Sequence, residues 1–225
     1  MSTNGTVLYV HGMGGGADSR IPSILRDCFA GGSGPDVVVR TYSFDPQTAQ
    51  EQFRSWFEEL KPALIIGESL GATHALALRR SEYHAGLSPA DLPVILVAPA
   101  MNAPRLFFRL AFLALIPGVG SMLDRKYRPR PGERQEMHFR YALLRKWKTV
   151  RAEALAEGNQ TDVYAFFGKH DKYRRSGIVS VRSWKRLFGE ECCEIYDGSH
   201  FMEEEYVRTL LADRILETLA ARDSR

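Results

Sequence analysis

Five residues, Gly67-Glu68-Ser69-Leu70-Gly71, carry a pattern from which a serine nucleophile can be built. A hydroxyl becomes a useful nucleophile when a base can take its proton and N–H donors await the negative charge of the attacked oxygen. The flanking residues suit such a site. Residues 63–66 read as a buried strand and residues 72–78 as a helix. Strand, G-x-S-x-G, helix is the order of a nucleophile elbow. The turn is sharp enough that side chains on either side of the serine would collide, and the serine sits in a strained backbone conformation. Its hydroxyl then stands at a helix N-terminus, where free N–H groups favour negative charge. An ordinary serine capping a strand-to-helix turn fits the bare pentad equally well, so the surroundings decide.

Residues 6–10 read as a strand that runs into His11-Gly12-Met13-Gly14-Gly15-Gly16. An acyl-transfer site needs two donors aimed at the oxyanion. Leu70, the residue after the serine, supplies one, and Met13 in the glycine-rich loop is the natural second. A phosphate-binding loop is the competing reading, but neither G-x-G-x-x-G nor G-x-x-x-x-G-K-[ST] occurs here. Further on, residues 162–167 read as a strand followed by Gly168-Lys169-His170-Asp171, and residues 192–196 as a strand followed by Asp197-Gly198-Ser199-His200-Phe201. An acid and a histidine thus follow successive strand ends. In a parallel sheet those ends share the edge where ligand sites form. Ser69, His200 and Asp171 are the catalytic set this order predicts. Asp197 is the rival acid, but it lies three residues before His200, and an acid on a separate loop reaches Nδ1 more easily. His11, His74, His84 and His138 fit structural or surface roles better, with His84 in a polar loop; His170 adjoins Asp171 but precedes it, and the Glu68 side chain could contact the cap but reads as facing solvent.

The segments V-L-Y-V-H-G-M-G-G-G, I-I-G-E-S-L-G-A, G-K-H-D and G-S-H-F together resemble the α/β-hydrolase-fold serine hydrolases, of the compact bacterial type represented by YqiA-like esterases. The resemblance spans nearly the whole chain and is weakest over residues 101–160. It implies a three-layer sandwich around a mostly parallel sheet, with the chain order Ser69, Asp171, His200. The implied activity is cleavage of a carboxylic ester or thioester. The first antiparallel strands of the family have no obvious room before Thr6, so the sheet is expected to be trimmed. A peptidase or amidase would use the same residues. A catalytically silent fold serving as a binding module is a third reading, and it predicts missing triad members.

The elements that must position these residues follow in alternation. Helices are predicted over 21–29, 46–60 and 203–221, with further strands over 37–40 and 93–98. Short connections and strand–helix alternation argue a parallel sheet covered on both faces. The 225 residues fit one domain, with 101–160 as a cap insertion. Within it, residues 106–116, bounded by Pro104 and Pro117, are apolar nearly all round and too short to span a bilayer. They suit a buried core helix, a lid over an acyl pocket, or a helix at a membrane interface. A second helix is predicted over 135–156, with Met137, Tyr141, Leu144, Trp147, Val150 and Ala154 as its apolar stripe.

Charge is uneven. Residues 101–151 hold 12 Lys/Arg against 3 Asp/Glu, while the whole chain has a net charge of only +3. A basic cap suits an anionic substrate, such as an acyl thioester of a phosphorylated carrier, or an anionic lipid surface; a solvated basic helix face explains it as well. No nucleic-acid motif, zinc-ligand spacing or cofactor-binding motif is read. The polar start of the chain lacks a secretion signal. Three cysteines read as buried reduced thiols, which points to a cytoplasmic protein. The sequence is silent on oligomeric state.

Overall fold

The computed structural model describes residues 5–32, 34–84, 92–150 and 162–224. Six strands carry the fold: β1 (Thr6–Val10), β2 (Asp36–Val39), β3 (Leu64–Glu68), β4 (Val94–Val97), β5 (Val163–Gly168) and β6 (Cys193–Tyr196). They form one sheet in the order β2-β1-β3-β4-β5-β6. Among the described residues every strand pair is parallel, in keeping with the expected mostly parallel sheet. The order reverses direction between β1 and β3, and open sheets of this kind bind ligands beyond the strand ends at such a switch point.

The strands are apolar runs because both of their faces are covered. Leu8, Val10, Ile65, Val94, Leu96, Ala165 and Phe167 enter one core, and Val7, Tyr9, Leu64, Ile66, Ile95, Val97 and Phe166 enter the other. Helices α1 (Arg20–Cys28), α2 (Pro46–Leu60) and α3 (Gly71–His84) alternate with β1 to β4. The bounds of α2 follow from its ends. Asp45 accepts a hydrogen bond from Gln47 N at 3.0 Å, Pro46 opens the first turn, and Lys61 closes the helix in the left-handed conformation. Beyond β5 come α7 (Val181–Phe188) and α8 (Ala212–Asp223). The predicted last helix is interrupted by a π-helical segment, Val207–Leu211; of its apolar face Val207, Leu211, Ile215 and Leu219 are buried, while Tyr206 and Leu210 are half-buried. Helix α3 extends to His84, so that residue ends a helix instead of lying in a polar loop.

Between β4 and β5 lie α4 (Ala103–Leu113), α5 (Val119–Lys126) and α6 (Tyr141–Lys146). Two expectations change here. The helix predicted from residue 135 begins only at Tyr141. The backbone before it has partners elsewhere: Gln135 N donates to Gly15 O at 2.7 Å, and Phe139 N donates to Asp124 Oδ1 at 2.7 Å. Residues 151–156 of that prediction lie outside the described residues. Pro104 does not bound the next helix but sits in the first turn of α4, where a missing N–H costs nothing. Only one face of α4 is buried, through Ala103, Pro104, Phe107 and Ala111. The three cysteines are unpaired and half-buried rather than buried.

Candidate active site

The chain leaves β3 at Glu68 and reverses at once into α3, which forces Ser69 to a φ of 50°. Three hydrogen bonds hold this unfavourable geometry. Ser69 N donates to Val97 O at 2.8 Å, while Ser69 O accepts from Ala72 N at 3.2 Å and Ala100 N at 3.0 Å. The flanking glycines answer to close approach. A Cβ on Gly67 would lie 2.7 Å from Ala72 Cα, and one on Gly71 would lie 2.2 Å from Val10 O. Neither contact could be relieved without moving backbone.

The loops after β5 and β6 bring the other two predicted residues to the elbow. Ser69 Oγ donates to His200 Nε2 at 2.9 Å, and His200 Nδ1 donates to Asp171 Oδ2 at 2.7 Å. Asp171 is buried, and its second oxygen accepts from Tyr173 N at 2.7 Å, which fixes the carboxylate plane. The two loops are tied together by Lys169 N to Tyr196 O and His170 N to Gly198 O, both 2.9 Å. Tyr173 stands nearly perpendicular to the His200 ring at 4.5 Å, and Phe201 does so at 5.1 Å. Met13 and Phe201 are exposed.

The rival acid is elsewhere. Asp197 lies on the surface, where His170 Nε2 donates to it at 2.9 Å and Lys169 Nζ approaches to 3.3 Å. These partners hold its carboxyl below the usual carboxylate range. Glu68 departs from expectation: it is half-buried, and Tyr9 O–H donates to it at 2.8 Å.

The glycine-rich loop is organised from below. The His11 ring is buried and stacks on Tyr42 at 4.3 Å. Its Nδ1 donates to Gly12 O at 2.8 Å, since a carbonyl can only accept. Burial lowers the His11 pKa to about 4 and that of buried His74 to about 3, so both rings are neutral at pH 7. Gly14 N donates to Gln135 Oε1 at 3.2 Å, Gly15 N to Gly12 O at 3.0 Å and Gly16 N to Ser19 Oγ at 3.1 Å. Among the described residues, the N–H groups of Met13 and Leu70 donate to no protein acceptor. These two donors thus have no protein acceptor, while the N–H groups of Gly14, Gly15, Gly16 and Ser69 are occupied.

Sequence reasoning missed Gln135 and Tyr42. Buried Gln135 also donates through Nε2 to Tyr42 O at 3.3 Å, and Tyr42 O–H donates to His11 O at 2.7 Å. A signal existed. Apolar Met137 and Phe139 alternate with polar Glu136, His138 and Arg140, the period of two that marks an extended segment, and Gln135 is buried on the same side of it. Among the described residues, no group of three His, Cys, Asp or Glu is placed to hold a metal ion.

No family model and no curated protein matches the chain. Solved structures do. Est1E from Butyrivibrio proteoclasticus is 13% identical, with 100% of this chain and 90% of that chain covered at a TM-score of 0.66. A monoacylglycerol lipase from Paleococcus ferrophilus is 16% identical, covering 96% and 94% at 0.61. A thermostable carboxyl esterase from Bacillus coagulans is 16% identical, covering 97% and 90% at 0.62. The narrower likeness to YqiA-like esterases stays one of motifs. With its parallel six-stranded sheet and helices on both sides, this chain has the α/β-hydrolase fold.

Proposed function

We propose that the protein is a serine hydrolase that cleaves a carboxylic ester or thioester through an acyl-enzyme on Ser69. The observation that carries this reading is the unbroken relay from Ser69 Oγ to His200 Nε2 at 2.9 Å and from His200 Nδ1 to Asp171 Oδ2 at 2.7 Å. Ser69 Oγ attacks the acyl carbonyl carbon as His200 Nε2 takes its proton. Asp171 holds the ring in the tautomer that can accept, and stabilises the imidazolium that forms. The oxyanion receives the N–H groups of Leu70 and Met13, where one donor is worth about 3 kcal/mol in the transition state. His200 then protonates the departing alkoxide or thiolate. Water attacks the acyl-enzyme, gives its proton to His200, and Ser69 recovers it as the acid product leaves. No cofactor enters any step.

In this reading the whole chain is one hydrolase domain, with residues 101–160 as its cap. Support comes from the links between that segment and the glycine-rich loop: Gly14 N donates to Gln135 Oε1, Gln135 N donates to Gly15 O, and Gly16 bridges Arg134. The substrate is a small acyl compound, and the basic charge of the cap suits an anionic or lipid-like one. The esterases and the lipase of the same fold make an ester the first class to test. A fluorophosphonate probe is the direct experiment. The wild type is expected to label at Ser69 and Ser69→Ala to stay unlabelled. An unlabelled wild type, or equal labelling of both, sinks the reading. A panel of acyl esters, thioesters and peptide amides then ranks the classes, and preference for an amide would transfer the triad to peptidase chemistry.

A further inference from the structure

The buried face of α4 ends at Ala111, and the chain then turns its apolar side chains outward. Phe112 is 53% exposed, Leu113 50%, Leu115 60%, Ile116 54% and Met122 52%. Short-range hydrogen bonds gather them on one projection. Leu115 N donates to Phe112 O, Ile116 N to Leu113 O, Val119 N to Ile116 O and Met122 N to Gly118 O, at 2.9 to 3.3 Å. A contiguous apolar surface of this kind on a folded domain marks an interaction site.

What surrounds the projection identifies its partner. Arg109 is exposed one helical turn before Phe112 and Leu113, and Arg125 and Lys126 follow Met122 by three and four residues. Arg145 lies 5.3 Å over the Tyr141 ring, which meets Phe112 at 6.1 Å. Asp124, the one acid of α5, is half-buried and accepts from Phe139 N. Exposed apolar side chains flanked by exposed cations need a partner with both apolar and anionic parts. A second copy of this chain would set cations against cations, so self-association through this face is disfavoured. A bilayer with anionic headgroups offers both parts, acyl chains for the apolar residues and phosphates for the cations.

We propose that the α4–α5 projection docks the protein on the surface of an anionic phospholipid bilayer. Among the described residues no helix is long and apolar enough to cross a membrane, so the contact is interfacial. It does not depend on Ser69 being a nucleophile, and Ser69→Ala is expected to bind as the wild type does.

The test is flotation of the full chain with vesicles of phosphatidylcholine alone and of phosphatidylcholine mixed with phosphatidylglycerol. Wild type and Ser69→Ala are expected to bind the mixed vesicles at least about tenfold more tightly, and less so as salt rises. Leu115→Asp with Ile116→Asp should abolish binding. Arg125→Glu with Lys126→Glu should weaken it by about 25-fold or more, at about fivefold per cation. Circular dichroism and urea unfolding in solution should be unchanged in both double variants, which shows that they fold. Wild type that binds neither vesicle, or both equally, overturns the proposal whatever the variants do. So does a wild-type dimer that the Leu115→Asp, Ile116→Asp variant converts to monomer.

Discussion

Gln135 accepts a hydrogen bond from the backbone of Gly14 at 3.2 Å, across 121 positions of sequence. The bond ties the segment between α5 and α6 to the residue beside Met13. Its amide nitrogen also donates to Tyr42 O, and the Tyr42 hydroxyl donates to His11 O. One buried side chain thereby braces both ends of the proposed oxyanion loop, which makes Gln135 a positioning residue. Gln135→Leu leaves Gly14 N and Tyr42 O unpaired. A fall in kcat of about 10- to 100-fold is expected, with KM changing far less, because donors shifted by about 1 Å fail the transition state first. Stability should fall by about 2 kcal/mol. Steady-state kinetics and urea unfolding separate the two effects. A variant that loses stability but keeps its kcat would make Gln135 structural only.

Two acids compete on paper for His200, and the geometry separates them. Asp171 is buried against Nδ1 with its other oxygen held by Tyr173 N, whereas Asp197 pairs with His170 and Lys169 at the surface. Asp171→Asn is expected to lower kcat by about 10⁴, because an amide there favours the wrong tautomer. Asp197→Asn should stay within about twofold of wild type. Parallel rate measurements on one activated ester decide between them, and the reverse pattern would reassign the acid.

The sheet and the elbow are legible in the sequence because local rules set them. Strand β1 and helix α2 carry apolar periodicity and caps that no tertiary contact overrides. The three residues of the relay follow from strand ends and chain order. The region after β4 misleads for a physical reason. Met137, Leu144, Trp147 and Val150 are buried as predicted, but Met137 reaches the core from an extended segment whose backbone pairs with the glycine-rich loop. A stripe of buried residues cannot tell one helix from a strand-like stretch followed by a short helix. Glu68 misleads because its partner Tyr9 lies 59 positions away, on a neighbouring strand.

The fold makes two kinds of demand on glycine, and they differ in size. Gly71→Ala would place a methyl group 2.2 Å from Val10 O and 2.5 Å from His11 O, both backbone atoms. A loss above about 4 kcal/mol is expected, enough to leave little folded protein. Gly177 has a φ of 72°, but a methyl group added there would meet nothing within 4 Å. Gly177→Ala should therefore cost only about 1–2 kcal/mol, the strain of a left-handed alanine. Thermal or urea unfolding compares the two. Equal losses would mean that the backbone around Gly71 relaxes to admit the methyl group at little cost.

Acid should destabilise the fold well above the range where most carboxylates titrate. Histidines in the unfolded chain titrate near 6.5, but burial lowers His11 to about 4 and His74 to about 3. Between those values and 6.5 the unfolded chain binds protons that the folded chain refuses, so stability falls as pH falls. The contribution is full above pH 6.5 and is lost progressively toward pH 4 for His11 and pH 3 for His74. With both sites differing by nearly one proton at pH 5, the slope there approaches about 3 kcal/mol per pH unit. The His74 ring packs among Tyr42, Phe53 and Trp147 at 5.1 to 5.4 Å, so His74→Phe keeps an aromatic ring in place while removing one titration. Urea unfolding at pH 7, 6 and 5 should show that variant's slope near pH 5 reduced by about half. An unchanged slope would place the acid sensitivity outside this pair of histidines.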